Sequence, residues 1–147
     1  MDSSSSELKR FSHNIGQNWY HIVFVTKMRG KIFQWKETKA IAEQAFDWLC
    51  ARHNIDLFAK EVMPDHAHLF VSCPPDYSIR RLFQILKGGS AYYIRKHYPS
   101  LKKYKHIWNR GTMYRSIGNV SAETIKKYIE QSNDWSVARQ QLRENRR

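Results

Sequence analysis

His66 and His68 stand one residue apart in the stretch EVMPDHAHLFVSCPP, residues 61–75. Imidazole nitrogens are common ligands for divalent metals, and a His-x-His pair chelates only if the backbone turns both rings to one side. A β-strand does this. Side chains alternate along it, so His66, His68, Phe70 and Ser72 share one face while Ala67, Leu69 and Val71 share the other. The apolar set belongs against a core, which leaves the imidazoles on the opposite, open face. Their Cα atoms are then about 7 Å apart, close enough for ring nitrogens to converge on one cation at about 2.1 Å. The competing reading is that two histidines on a β face are polar surface. Even as ligands they leave the coordination incomplete, so a third group has to come from another element.

The surroundings of the pair are strongly basic. The 147 residues carry a net charge of +12, with a pI near 9.9, and a polyanion is the natural partner of such a surface. No Asp or Glu occurs between Asp76 and Glu123, whereas Arg80, Arg81, Lys87, Arg95, Lys96, Lys102, Lys103, Lys105, Arg110 and Arg115 place ten of the 25 Lys and Arg residues there. Phe83, Tyr92, Tyr93, Tyr98, Tyr104, Trp108 and Tyr114 are interleaved with them, setting stacking faces beside phosphate-pairing charges. A solvated helix face with aromatics turned inward accounts for any one of these residues. The missing carboxylates across the whole window point to nucleic acid.

An anionic membrane also suits the charge, but no apolar run approaches the roughly 20 residues that span a bilayer. The N-terminal MDSSSSELKR lacks the apolar centre of a signal peptide, so the expectation is a cytoplasmic protein with no membrane partner. Cys50 and Cys73 form no C-x-x-C pair and read as reduced packing residues.

The elements that must position these groups follow from periodicity. Residues 18–28, NWYHIVFVTKM, are a near-continuous β-branched and aromatic run, a strand in a central position. In residues 36–53, Ile41, Ala45, Trp48 and Leu49 recur at helical spacing beside Ala42 and Phe46. Residues 54–63 read as a second strand, Pro64-Asp65 as a hairpin turn, and 66–73 as a third strand. Ser78 is placed to cap a helix whose buried stripe is Ile79, Leu82, Phe83 and Leu86. Gly88-Gly89-Ser90-Ala91 then marks either a close approach by a strand or ligand backbone, or a helix break. Beyond Pro99 come a basic loop, a strand over 112–118 and a helix opening near Ser121 with Glu123 in its first turn.

The order is that of an α+β, ferredoxin-like βαββαβ fold with a C-terminal helix, its helices on one face of an antiparallel sheet. Residues 1–15 read as a flexible tail and 16–147 as one domain.

The stretch MPDHAHLFV resembles the HUH motif (histidine, hydrophobe, histidine) of the single-tyrosine transposases of bacterial and archaeal insertion sequences, the IS200-like class. The resemblance runs from about residue 16 to 135 and continues through LKGGSAYYIRKHYP and IWNRGTMYRSIGNVSAETIKKYIEQ. It implies a ferredoxin-like homodimer built by joining two sheets, Mg2+ or Mn2+, and single-stranded DNA with hairpins at element ends as substrate. It also implies a nucleophilic tyrosine on the C-terminal helix, here Tyr128, one of eight tyrosines. Lys126 and Lys127 flank it, either as backbone contacts for DNA or as plain helix surface.

The family commonly has a metal-binding glutamine four residues after the tyrosine; this chain has Ser132 there and Gln131 one position earlier. The third ligand is therefore Gln131, Asn133 or water. Arg80, Arg81, Lys87, Arg95, Arg110, Arg115 and Lys127 are the expected DNA contacts. Two other functions compete with cleavage and rejoining through a 5′-phosphotyrosine. One is a catalytically silent module binding single-stranded RNA or DNA on its sheet; the other is a domesticated relative acting on chromosomal palindromes.

Overall fold

The structure is a computed structural model that describes residues 9–10, 15–16 and 18–118. Within and just past the stretch read as a tail, Lys9–Arg10 (β1) and Ile15–Gly16 (β2) pair as a short antiparallel ladder; the rest of that stretch lies outside the described residues. So does the expected helix opening near Ser121.

The β-branched run after Asn18 forms β3 (Trp19–Val25), followed by α1 (Lys36–Arg52), β4 (Asp56–Met63) and β5 (His66–Ser72). Next come α2 (Ile79–Phe83), a π-helical turn at Gln84–Gly88, α3 (Gly89–His97) and β6 (Met113–Ile117). The four long strands make one sheet in the order β4-β5-β3-β6, with every neighbouring pair antiparallel. This is the βαββαβ succession expected from the sequence, with the first strand of the unit at the centre.

Alternation divides the sheet into two faces. Ile22, Phe24, Ala67, Leu69 and Val71 join Phe46, Leu49, Leu82, Leu86 and Ile94 from the helices in one buried core. Packing rather than propensity holds these helices, since α2 is a single turn whose entry is fixed by Ser78 Oγ accepting from the Arg81 amide at 3.0 Å. Cys50 and Cys73 are buried free thiols, as expected, and burial pushes them up to about 12 and about 11.

Three expectations are corrected. Trp48 does not join the apolar stripe of α1. It is 49% exposed, packing at a tilt of 38° on Tyr93 and under Arg52, because it sits roughly 110° round the helix from the buried set Ala42, Ala45, Phe46 and Leu49. The Gly88-Gly89 pair is not a break, and what approaches Gly89 is the Leu49 side chain of α1 rather than a strand. The helix runs through it with helical backbone angles at both glycines, and because a Cβ on Gly89 would lie 2.6 Å from Leu49 Cδ2, the small residue lets α1 and α3 close together.

The third correction concerns the histidine face. His66 is 4% exposed and His68 2%, and His21, Phe70 and Ser72 beside them are equally buried. These rings are not open surface; they pack on one another and on the carboxylates described next.

Candidate active site

The β4–β5 hairpin positions the chelating pair. Its two-residue turn at Pro64-Asp65 sets Met63 opposite His66 and Glu61 opposite His68, while central β3 places Val25 and Val23 against the same two histidines. The imidazoles lie side by side along β5, ring centroids 5.9 Å apart and tilted by only 22°. The face, the strand and the shared direction are those that alternation alone implied.

Two carboxylates hold the rings. Asp65 Oδ1 is 2.8 Å from His66 Nδ1, which fixes the Nδ1-protonated tautomer and leaves Nε2 as the lone-pair donor. Asp65 is itself steadied by the Arg29 guanidinium at 3.9 Å, and its carbonyl accepts from the Thr26 amide at 3.0 Å. Glu61 Oε2 comes within 3.4 Å of His68 Nε2. Burial, with His21 and His66 adding to it, pushes His68 down to about 3, so its ring is neutral at physiological pH and the Glu61 approach is dipolar rather than an ion pair.

A third imidazole completes the row. His21 pairs across the strands with Phe70, stacking on it at 6.2 Å and 16°, and its ring centroid is 5.9 Å from that of His68. Burial, and then Arg115 opposite it on β6, hold His21 down to about 4. Sequence reading missed His21, Glu61 and Asp65 as parts of this site. A histidine within an apolar strand was the available signal, but what it touches depends on the β3–β5 register.

Imidazoles turned to one side of a strand and oriented by carboxylates suit a divalent transition metal, so His66 and His68 fit such an ion as two nitrogen donors. Among the described residues no set of three or more His, Cys, Asp or Glu side chains could hold a metal. The Asp65 oxygen is engaged with Nδ1 of His66, away from the donor nitrogen. Tyr128, Gln131, Asn133, Lys126 and Lys127 lie outside the described residues.

The expected DNA-contacting cations fall into three groups. Lys87, Arg95 and Arg110 surround one depression of about 340 Å3 together with Lys105. Two of them also brace it: Lys87 Nζ donates to the Arg110 and Gly111 carbonyls at 2.9 and 3.1 Å, and Arg95 donates to the Tyr104 and Lys105 carbonyls at 3.2 and 2.7 Å. Burial pushes Lys87 down to about 8. Arg115, opposite His21, belongs to the histidine face. Arg80 and Arg81 are exposed in the first turn of α2, apart from both groups.

An antiparallel α+β domain with oriented imidazoles on one sheet face and a basic depression beside its second helical unit defines a class of nucleic-acid-processing domain, and the comparisons with known proteins agree. The family model described as "Transposase IS200 like" matches residues 14–132, and the chain belongs to that family. It is 28% identical over 131 residues to the ISDra2 transposase TnpA of Deinococcus radiodurans, covering 87% of this chain and 93% of that protein. It is also 28% identical over 137 residues to the transposase of insertion sequence element IS200 from Salmonella typhimurium, covering 91% and 89%. A solved structure of a candidate transposase from Deinococcus radiodurans superposes with a TM-score of 0.68 at 25% identity, covering 84% of this chain and 96% of that one. Among the described residues, no helix is long and apolar enough to cross a membrane.

Proposed function

We propose that this transposase cleaves and rejoins single-stranded DNA at hairpin-bearing ends through Tyr128, acting as a homodimer. The observation that carries the reading is the pair of buried imidazoles, His66 and His68, side by side on one strand face, with His66 oriented by Asp65 and His68 held neutral. A chain that merely bound DNA through charge has no need of this arrangement.

His66 and His68 would hold a divalent ion, Mn2+ or Mg2+, with Gln131, Asn133 or water as the remaining donor. When bound, the ion polarises a phosphoryl oxygen of the scissile phosphate as a Lewis acid. Nitrogen donors favour Mn2+ over Mg2+, which prefers oxygen. Arg115, opposite His21, lends positive charge to the same face, and Lys87, Arg95, Arg110 and Lys127 supply partners for the flanking phosphates.

Tyr128 Oη attacks phosphorus in line as its proton is removed. The tyrosine O–P bond forms and the bond from phosphorus to the 3′ oxygen breaks, giving a 5′-phosphotyrosine and a free 3′-OH. Attack by the 3′-OH of a second strand reverses the exchange, so one phosphodiester replaces another and no nucleotide cofactor is consumed.

The test is a labelled, hairpin-bearing single strand incubated with the protein and Mn2+. A covalent adduct forms with the unmutated chain and is absent with Tyr128→Phe. If the unmutated chain gives no adduct yet still binds the strand without metal, it is a silent binding module.

A further inference from the structure

A second cleft, about 520 Å3 in volume, opens between the segment following β3 and the segment following α3. Thr26, which lines it, is the residue after the Val25–His66 pair, and the Thr26 amide donates to the Asp65 carbonyl. The cleft therefore begins where the histidine site ends.

Its lining is unlike a packing defect. Met28 is 80% exposed, Trp35 53% and Tyr104 43%, so three of the largest solvent-facing apolar side chains among the described residues border one cavity. Lys27, Lys31 and Lys103 stand around them with Glu37 as the one carboxylate of the lining. The loop that shapes the cleft holds Met28 and Arg29 at φ 55° and 57°, a left-handed conformation that costs non-glycine residues energy and persists where the surroundings enforce it. Arg29 of that loop is the guanidinium that reaches Asp65.

We infer that this cleft receives an unpaired nucleotide of the DNA strand, its base stacked on the aromatic wall of Trp35 and Tyr104 and its phosphates against Lys27, Lys31 and Lys103. The volume lies within the range of about 300–1,000 Å3 usual for small-molecule sites. Base stacking on aromatic rings, combined with a cationic surround, is how single strands are gripped without sequence reading. Placement beside Asp65 and His66 sets such a nucleotide next to the phosphate offered to the histidine site. The inference rests on the single-strand reading above and adds to it the place where a base outside the hairpin is held.

The experiment compares two labelled single strands of equal length and charge, one bearing bases and one abasic, by fluorescence anisotropy. The unmutated chain prefers the base-bearing strand, and Trp35→Ala or Tyr104→Ala lowers affinity for that strand roughly tenfold while leaving the abasic strand unchanged. Trp35→Phe keeps the preference, and thermal melts of all variants establish that they fold. Variants that bind both strands as the unmutated chain does, or that lose both equally, overturn the inference. So does a change of sedimenting mass in Trp35→Ala with base preference intact, which makes the cleft a contact between two copies. If the unmutated chain binds neither strand, the single-strand reading itself falls, and this inference with it.

Discussion

Asp65 Oδ1 lies 2.8 Å from Nδ1 of His66, the residue that follows it, so the turn that starts β5 also orients its first histidine. A carboxylate on the far nitrogen of a ligating imidazole fixes its tautomer and raises its basicity. Asp65→Ala is therefore expected to weaken Mn2+ binding by roughly 10- to 100-fold. Asp65→Asn loses less, since an amide oxygen still accepts from Nδ1. Titration calorimetry with Mn2+ and no DNA reads this directly, and equal affinities for all three proteins would remove Asp65 from the site.

The basic depression separates bracing from binding. Arg110 is exposed, whereas Lys87 ties down the Arg110 and Gly111 carbonyls. Arg110→Ala is expected to leave the melting temperature unchanged and to reduce the slope of log affinity against log salt for single-stranded DNA by about 0.7, one phosphate contact. Lys87→Ala is expected to lower that slope and also to cost roughly 1.5–3 kcal/mol of stability, because a charged donor to two carbonyls is lost. Urea melts and anisotropy at several salt concentrations check both. A salt-independent affinity in the unmutated chain would sink the phosphate reading.

What the sequence made legible is what strand and helix periods encode locally. Alternation placed His66 and His68 on one face, Pro64-Asp65 marked the hairpin, and Ser78 marked the start of a helix that it does cap. What it hid are contacts between distant segments. His21 meets His68 through a register spanning more than forty positions, and the burial of that face is not written in the HAHLF stretch itself. Trp48 shows the converse error, in which an apolar residue near the right spacing was assigned to the stripe although its angle on the helix turns it outward. The site residues beyond Gly118 rest on the motif resemblance alone.

Adjacent glycines are expected to respond in opposite directions. A Cβ on Gly88 meets nothing within 4 Å, and its φ and ψ of −64° and −43° are helical. Gly88→Ala should stabilise by about 0.5–1 kcal/mol through the lower entropy of its unfolded chain and better helix propensity. Gly89→Ala puts a methyl 2.6 Å from Leu49 Cδ2 in the buried α1–α3 contact. Overpacking there should destabilise by roughly 1–3 kcal/mol. Paired thermal melts decide it, and a stabilised Gly89→Ala would mean that α1 and α3 are not held together at this point.

Stability without metal should fall as the solution turns acid. His21 and His68 are held down to about 4 and about 3 from an ordinary value of 6.5, so the folded chain carries them neutral while the unfolded chain takes up protons. Where the unfolded state binds more protons, stability rises with pH. Their contribution is thus complete above about pH 6.5 and is lost progressively as pH falls from there toward the folded values. Near pH 5 each histidine accounts for a loss on the order of 2 kcal/mol, at about 1.4 kcal/mol per unit of displacement. Urea midpoints measured in the presence of a chelator, from about pH 7.5 down to about pH 5, should hold nearly level to about pH 6.5 and decline below it. His21→Gln, which carries no titrating ring, should flatten the decline by about one histidine's share. A profile that stays level over this range would mean that the imidazoles accept protons in the folded chain, and that the histidine face is open to water.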